Sequence, residues 1–209
     1  MSPTIELGQQ LVPYQGIIFD LDNTIFLQTT FDHSAFLEIS DYLASKYQLK
    51  QKELFSFFVI HRNSPPPYKN DLFGCCCREF NIPLNESPYM VTLFRQHKLK
   101  ELTLAPEYRV LLTHLSQQKK TLLLVTNGIQ SVQQEKISKL KLAAYFKEML
   151  VCTADGDIPL KPDPAAFSYL KKRHTCSSWV MVGDLQETDG LFAKNSGIDF
   201  IQHKYCGGG

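Results

Sequence analysis

Four short apolar runs constrain this chain more than anything else in it. Gly16 to Asp20 reads GIIFD, Thr121 to Thr126 TLLLVT, Met149 to Cys152 MLVC, and Trp179 to Gly183 WVMVG. Runs so short and so uniformly apolar suit strands buried on both faces of a parallel sheet. Helical patterns separate them: Pro106 stands at a first turn ahead of Val110, Leu111, Leu112 and Leu115, followed by Ile129 to Leu140 and Pro164 to Arg173. Alternation of strand and helix predicts an α/β fold, a doubly wound, Rossmann-like parallel sheet with right-handed crossovers. Ligands in such sheets collect at the carboxyl ends of the strands.

One connection is too long for this rhythm. About 80 residues separate the first run from the Pro106 helix, whereas a whole βαβ unit takes roughly 30. Phe36, Ile39, Leu43 and Tyr47 make a helical stripe, Leu54, Phe57 and Phe58 make another, and helical segments surround Phe73 to Phe80 and Tyr89 to His97. Residues 28–102 are therefore expected to form an all-helical insert in a core of 1–27 and 103–209. Ser64 to Pro67 interrupt a helix within it, and the chain crosses back near Leu27 and Thr103.

The 209 residues suffice for one core and a small inserted domain. With 22 basic against 21 acidic residues, no net field draws the chain to a nucleic acid polymer or an anionic membrane. No basic, apolar leader opens the sequence, and no apolar run approaches the roughly 20 residues of a membrane span, so a soluble, cytoplasmic protein is expected. Cys75, Cys76 and Cys77 are adjacent while Cys152, Cys176 and Cys206 are scattered; without a CxxC pair these read as reduced thiols. The tail Tyr205 to Gly209 is expected to be disordered.

Chemistry gathers where the apolar runs end. Asp20 and Asp22 in DLDNT are spaced so that in an extended segment both face one way, allowing one to attack and the other to transfer a proton. VTNG at 125–128 offers the Thr126 hydroxyl and free amides, Asn127 among them, to an anion. LKPDP at 160–164 frames Lys161 between prolines, and GDLQETD at 183–189 adds Asp184 and Asp189. Taken singly, each segment also suits an ordinary turn or helix cap. Together, Asp20, Asp22, Asp184 and Asp189 would repel one another strongly unless a hard divalent cation such as Mg2+ resolved the conflict.

DLDNT, VTNG, LKPDP and GDLQETD, in this order and each after an apolar strand, resemble the four motifs of the haloacid dehalogenase superfamily. The resemblance covers Gly16 to Leu27 and Thr103 to about Ile201, and the insert matches in position and helical character the cap of such proteins. LLLVTNGIQSVQQEKISKLKLAAYF at 122–146, KPDPAAF and VMVGDLQETD are most similar to the branch containing N-acylneuraminate-9-phosphatase and pyrimidine 5'-nucleotidases.

The resemblance implies an Mg2+-dependent phosphomonoester hydrolase that acts on a small phosphorylated metabolite, a sugar phosphate or a nucleotide. Asp20 would be the nucleophile forming an aspartyl-phosphate, and Asp22 the general acid and then the base. Metal would be held by the Asp20 carboxylate, the Asp22 backbone carbonyl and Asp184, with Asp189 acting through water or neighbouring contacts. Thr126, Asn127 and Lys161 would hold phosphoryl oxygens. Family dehalogenases lack an acid two residues after the nucleophile, so Asp22 favours phosphate chemistry; a phosphosugar mutase or a non-catalytic phosphometabolite-binding module are the alternatives. His61 and Arg62 are candidates for contacting the distal part of the substrate, and a monomer or homodimer is expected.

Overall fold

Each of the four apolar runs forms a strand, and all the strand pairings are parallel. The computed structural model describes residues 2–100 and 102–207. It joins β1 (Gly16–Phe19), β2 (Thr121–Asn127), β3 (Glu148–Cys152) and β4 (Trp179–Gly183) to a fifth strand, β5 (Asp199–Gln202). The order is β3-β2-β1-β4-β5, so β1 is central. Gly16 lies opposite both Thr121 and Trp179, and Phe19 opposite Leu124 and Val182. All four β1 residues are buried, as a strand covered on both faces requires.

The helices are α1 (Pro3–Gln10), α2 (Gln28–Tyr47), α3 (Gln51–His61), α4 (Tyr68–Glu79), α5 (Ser87–Gln96), α6 (Pro106–Gln117), α7 (Gln130–Lys139), α8 (Ala165–Arg173) and α9 (Leu191–Ser196). Proline occupies the first turn of α6, where its missing N–H would lack an intrahelical partner anyway. α7 starts two residues after the strand end at Thr126-Asn127-Gly128, and α8 follows Pro164.

The chain divides into two compact units, Met1–Gln28 with Glu101–Gly209, and Thr29–Lys100. In the first, Ile18, Leu123, Val125 and Met181 from the sheet pack with Ala166, Phe167, Leu170, Phe192 and Ala193 from α8 and α9. The second contains only helices among its described residues. Its core joins Phe36, Ile39 and Leu43 of α2 to Leu54 and Phe58 of α3 and Met90 of α5. The Phe36 and Phe58 rings stack with centroids 5.1 Å apart. Cys75, Cys76 and Cys77 are buried in α4, and all six cysteines are free thiols.

Three features depart from the sequence expectations. α1 and β5 had no counterpart there: β5 is an edge strand of four residues with exposed ends, too short and too polar to stand out. The tail is not disordered over residues 205–207. The Tyr205 ring stacks on Tyr108 at 5.3 Å, the Tyr205 amide donates to the Asn23 carbonyl, and the Cys206 amide donates to the buried Tyr108 hydroxyl at 3.0 Å. Gly208 and Gly209 of the same expected tail lie outside the described residues.

Candidate active site

Connections leave β1 toward β2 on one side, while β4 lies on its other side, so the winding reverses at β1. The carboxyl ends of β1, β2 and β4 open there onto one cleft. It measures about 180 Å3 and is lined by Asp20, Asp22, Thr126, Lys161, Asp184 and Asp189, together with Asn23, Gln28, Asn127, Leu185 and Thr188.

Asp20 directly follows β1, its amide donating to the Val182 carbonyl of β4 at 2.8 Å. The chain then turns sharply: the Ile25 and Phe26 amides both donate to the Leu21 carbonyl at 3.1 Å, and Asn23 takes a positive φ of 57°. Asparagine tolerates that conformation better than most residues. At the end of β2, Asn127 and Lys161 exchange hydrogen bonds. The Asn127 amide group donates to the Lys161 carbonyl at 3.0 Å, and the Lys161 backbone N–H donates to Asn127 Oδ1 at 2.8 Å.

Lys161 is buried with its ammonium among three acceptors: Asp20 Oδ1 at 2.7 Å, Asp189 Oδ1 at 2.6 Å and the Val125 carbonyl at 2.9 Å. An ammonium has three N–H groups, and each finds a partner. Asp189 reaches the site through a π turn at Gln186–Gly190, in which the Asp189 and Gly190 amides converge on the Leu185 carbonyl. Such a turn widens the backbone locally. Gly183 makes room for the result, since a methyl group there would fall inside the Asp189 carboxyl group.

Carboxylate oxygens of Asp20, Asp184 and Asp189 lie within 4.8 Å of one another, a group able to hold a metal ion. Three carboxylates face one ammonium, and the imbalance is felt. Burial, with the Asp189 and Asp22 charges, pushes the Asp20 carboxyl up to about 7 against the opposing pull of Lys161. Burial and then the Asp189 charge push Asp184 up as well. For Lys161, burial acts downward, but the Asp20 and Asp189 charges and hydrogen bonds together outweigh it and leave the group raised. A hard dication with oxygen ligands fits that uncompensated negative charge.

Asp22 stands apart from this group. Its carboxyl, expected among the acids around a metal, is engaged by Lys136 Nζ at 2.6 and 2.8 Å and by Gln133 Nε2 at 2.9 Å. Asp189, expected to act at one remove, lies inside the carboxylate group. Thr126 is buried with Oγ1 accepting from Gln133 at 2.6 Å. His61 and Arg62 belong to the other unit. There the His61 ring stacks on Tyr68 at 4.0 Å, and Arg62 Nε donates to Asp32 Oδ2 at 3.1 Å.

Gln133 and Lys136 were missed from the sequence. Their i, i+3 spacing puts both on one face of α7, but glutamine and lysine on a helix ordinarily mark its solvent side.

Residues 17–203 match the haloacid dehalogenase-like hydrolase family. The chain is 30% identical to human N-acylneuraminate-9-phosphatase, over 88% of this chain and 79% of that protein. It is 25% identical to glyceraldehyde 3-phosphate phosphatase of Pyrococcus abyssi, over 90% and 81%. Among solved structures, a HAD phosphatase from Thermococcus onnurineus superposes with a TM-score of 0.57 at 22% identity, covering 90% of this chain and 85% of that one. The chain belongs to the haloacid dehalogenase-like hydrolases, as a phosphatase of that family.

Proposed function

We propose that the chain is an Mg2+-dependent phosphomonoester hydrolase that cleaves a small phosphorylated metabolite through an aspartyl-phosphate on Asp20. The observation that carries this reading is the sharing of the Lys161 ammonium between Asp20 and Asp189, in one cleft with Asp22 and Thr126.

In the first half-reaction an Asp20 carboxylate oxygen bonds to phosphorus while the bond to the ester oxygen breaks. The departing oxygen keeps the electron pair and takes a proton from Asp22. In the second, water bonds to phosphorus and gives a proton to Asp22. The acyl phosphate bond breaks, and Asp20 regains its carboxylate as inorganic phosphate leaves. Lys161 orients the nucleophile, and the Thr126 hydroxyl and the Asn127 backbone N–H bind phosphoryl oxygens. The carboxylates of Asp20, Asp184 and Asp189, with the Asp22 backbone carbonyl, would hold Mg2+. When bound, Mg2+ supplies charge neutralisation for the phosphoryl group.

The substrate class is a sugar phosphate or a nucleotide. An alkoxide leaves poorly without a proton, which is where an acid such as Asp22 contributes most. The names of the human and archaeal relatives, which specify an acylated sugar acid phosphate and a triose phosphate, favour the sugar phosphate. Residues 28–102 act as a cap on a core of 1–27 and 103–209, with Arg62 and His61 contacting the distal part of the substrate. No helix among the described residues is long and apolar enough to cross a membrane. We assign the protein to the cytoplasm, as a monomer or homodimer without a nucleic acid partner.

The test is phosphate release from acylneuraminate 9-phosphate, glyceraldehyde 3-phosphate, hexose phosphates, nucleoside monophosphates and phosphoglycolate, with Mg2+ and with chelator. Magnesium-dependent release from one compound well above the rest supports the reading and identifies the class. Release from none overturns it in favour of a mutase or a binding module.

A further inference from the structure

The two acids of the DLDNT loop are paired with different lysines. Lys161 serves Asp20, whereas Lys136, from α7, reaches both oxygens of Asp22 at 2.6 and 2.8 Å. Lys136 is only 2% exposed, with its ammonium 5.6 Å from the centre of the Phe26 ring in the same loop. A lysine is rarely withdrawn from water so completely unless its charge is matched, and Asp22 supplies a match.

Gln133, one helical turn earlier, is 1% exposed. Its Nε2 faces Asp22 Oδ2 at 2.9 Å, Thr126 Oγ1 at 2.6 Å and the Asn127 carbonyl at 3.3 Å. A carboxylate and a carbonyl only accept, so the nitrogen end of the amide must be the one turned toward them. Thr126 Oγ1 accepts from Gln133, which leaves the threonine's own proton to point elsewhere. A phosphoryl oxygen in the cleft is the acceptor that the proposed chemistry provides.

We propose that Lys136 and Gln133 are positioning residues for phosphoryl transfer. Lys136 sets the orientation of the Asp22 carboxyl, and Gln133 ties that carboxyl to the Thr126 hydroxyl, so that the proton-transfer group and the phosphoryl-binding group are held as one assembly. This inference rests on Asp22 being the acid of the proposed reaction.

A leaving-group series tests it. The value of kcat/KM is measured with Mg2+ for 4-nitrophenyl phosphate, whose anion departs without a proton, and for phenyl and alkyl phosphates, which need one. Each measurement is made on the wild type and on Asp22→Asn, Lys136→Met, Lys136→Arg and Gln133→Leu. For Lys136→Met the expected fall is on the order of 10²-fold on alkyl phosphates and several-fold at most on 4-nitrophenyl phosphate, repeating the pattern of Asp22→Asn. Lys136→Arg, which can still face both carboxylate oxygens, should recover part of the alkyl activity. Gln133→Leu should show the same selective loss, with a raised KM from the disturbed Thr126, and it supplies the test should Lys136→Met not fold. An equal loss across the series, or none, while Asp22→Asn loses alkyl substrates selectively, overturns the inference and leaves the proposed mechanism standing. A flat series for Asp22→Asn itself removes Asp22 as the acid, and this inference with it.

Discussion

The Asn127 side chain and the Lys161 backbone are joined by two opposed hydrogen bonds, the side-chain amide donating to the Lys161 carbonyl at 3.0 Å and its oxygen accepting from the Lys161 N–H at 2.8 Å. The end of β2 is thereby fastened to the loop that carries the buried ammonium. Asn127→Ala removes both bonds while leaving the lysine itself intact. A shift of about 1 Å at a catalytic group can lower turnover by about 10²-fold, and two ordinary hydrogen bonds contribute about 1 to 3 kcal/mol. The expected result is kcat/KM reduced by one to two orders of magnitude with a modest fall in urea midpoint. An unchanged kcat/KM would show that Lys161 keeps its place without Asn127.

Asp20→Asn separates chemistry from stability. Loss of the nucleophile should abolish turnover. The Asp20 carboxyl is pushed up to about 7 from 3.8, so the folded protein binds that proton more tightly than the unfolded chain does. Below about pH 4 the group is protonated in both states and adds nothing. Between about 4 and 7 its ionisation costs progressively more in the fold, and above 7 the cost is complete. Metal-free wild type should therefore lose stability over that window, and Asp20→Asn should lose less. Melting in chelator across pH 4 to 8 checks this; a variant less stable than wild type at pH 8 would contradict it.

Lys161→Met should act in the opposite direction. It leaves Asp20, Asp184 and Asp189 without the buried cation between two of them. Removing one partner from a buried ion pair costs about 3 to 5 kcal/mol. Urea unfolding in chelator at pH 8 should show a loss of that order, smaller at pH 5, where the carboxyls take up protons, and partly restored by Mg2+.

Gly183→Ala tests the packing under the acidic group. A methyl group at this position displaces the Asp189 carboxyl, which also accepts from the Leu185 amide at 3.2 Å. Calorimetric titration with Mg2+ should give weaker binding, and the Mg2+ concentration for half-maximal activity should rise about tenfold or more, as is usual when a metal ligand's support is disturbed. Equal Mg2+ affinity in variant and wild type would exclude Asp189 from the metal site.

Tyr108→Phe addresses the tail. The phenol accepts from the Cys206 amide at 3.0 Å and lies 2.9 Å from His203 Nε2. Its removal should cost about 1 to 2 kcal/mol and raise hydrogen exchange at Cys206, without the selective kinetic losses expected at the cleft.

The frame was legible because its strands are buried on both faces, so runs such as WVMVG carry no polar residues to confuse them. The acids, Thr126 and Lys161 were legible because they sit where those runs stop. β5 was not: an edge strand with exposed Asp199 and Gln202 lacks the apolar signal of the others. Nor was the engagement of Asp22, because Lys136 and Gln133 owe their burial to tertiary packing against the β1 and β2 ends, and nothing in VQQEKISKL distinguishes a withdrawn lysine from a solvated one. The resemblance implied an indirect part for Asp189, acting through water or neighbouring contacts; its carboxylate lies beside those of Asp20 and Asp184 at the end of a π turn, a local backbone form that GDLQETD does not announce.

Asp20, Thr126 and Asp184 each arrive at the tip of a different strand, and the three strands are neighbours in a single ladder. No contiguous stretch of chain contains the cleft. A fragment carrying one or two of the motifs, however well folded locally, has no partial version of the activity to offer. Turnover in this protein is thus also an assembly assay: in refolding experiments, recovered rate should count molecules whose central ladder is complete and whose α7 is docked beside it.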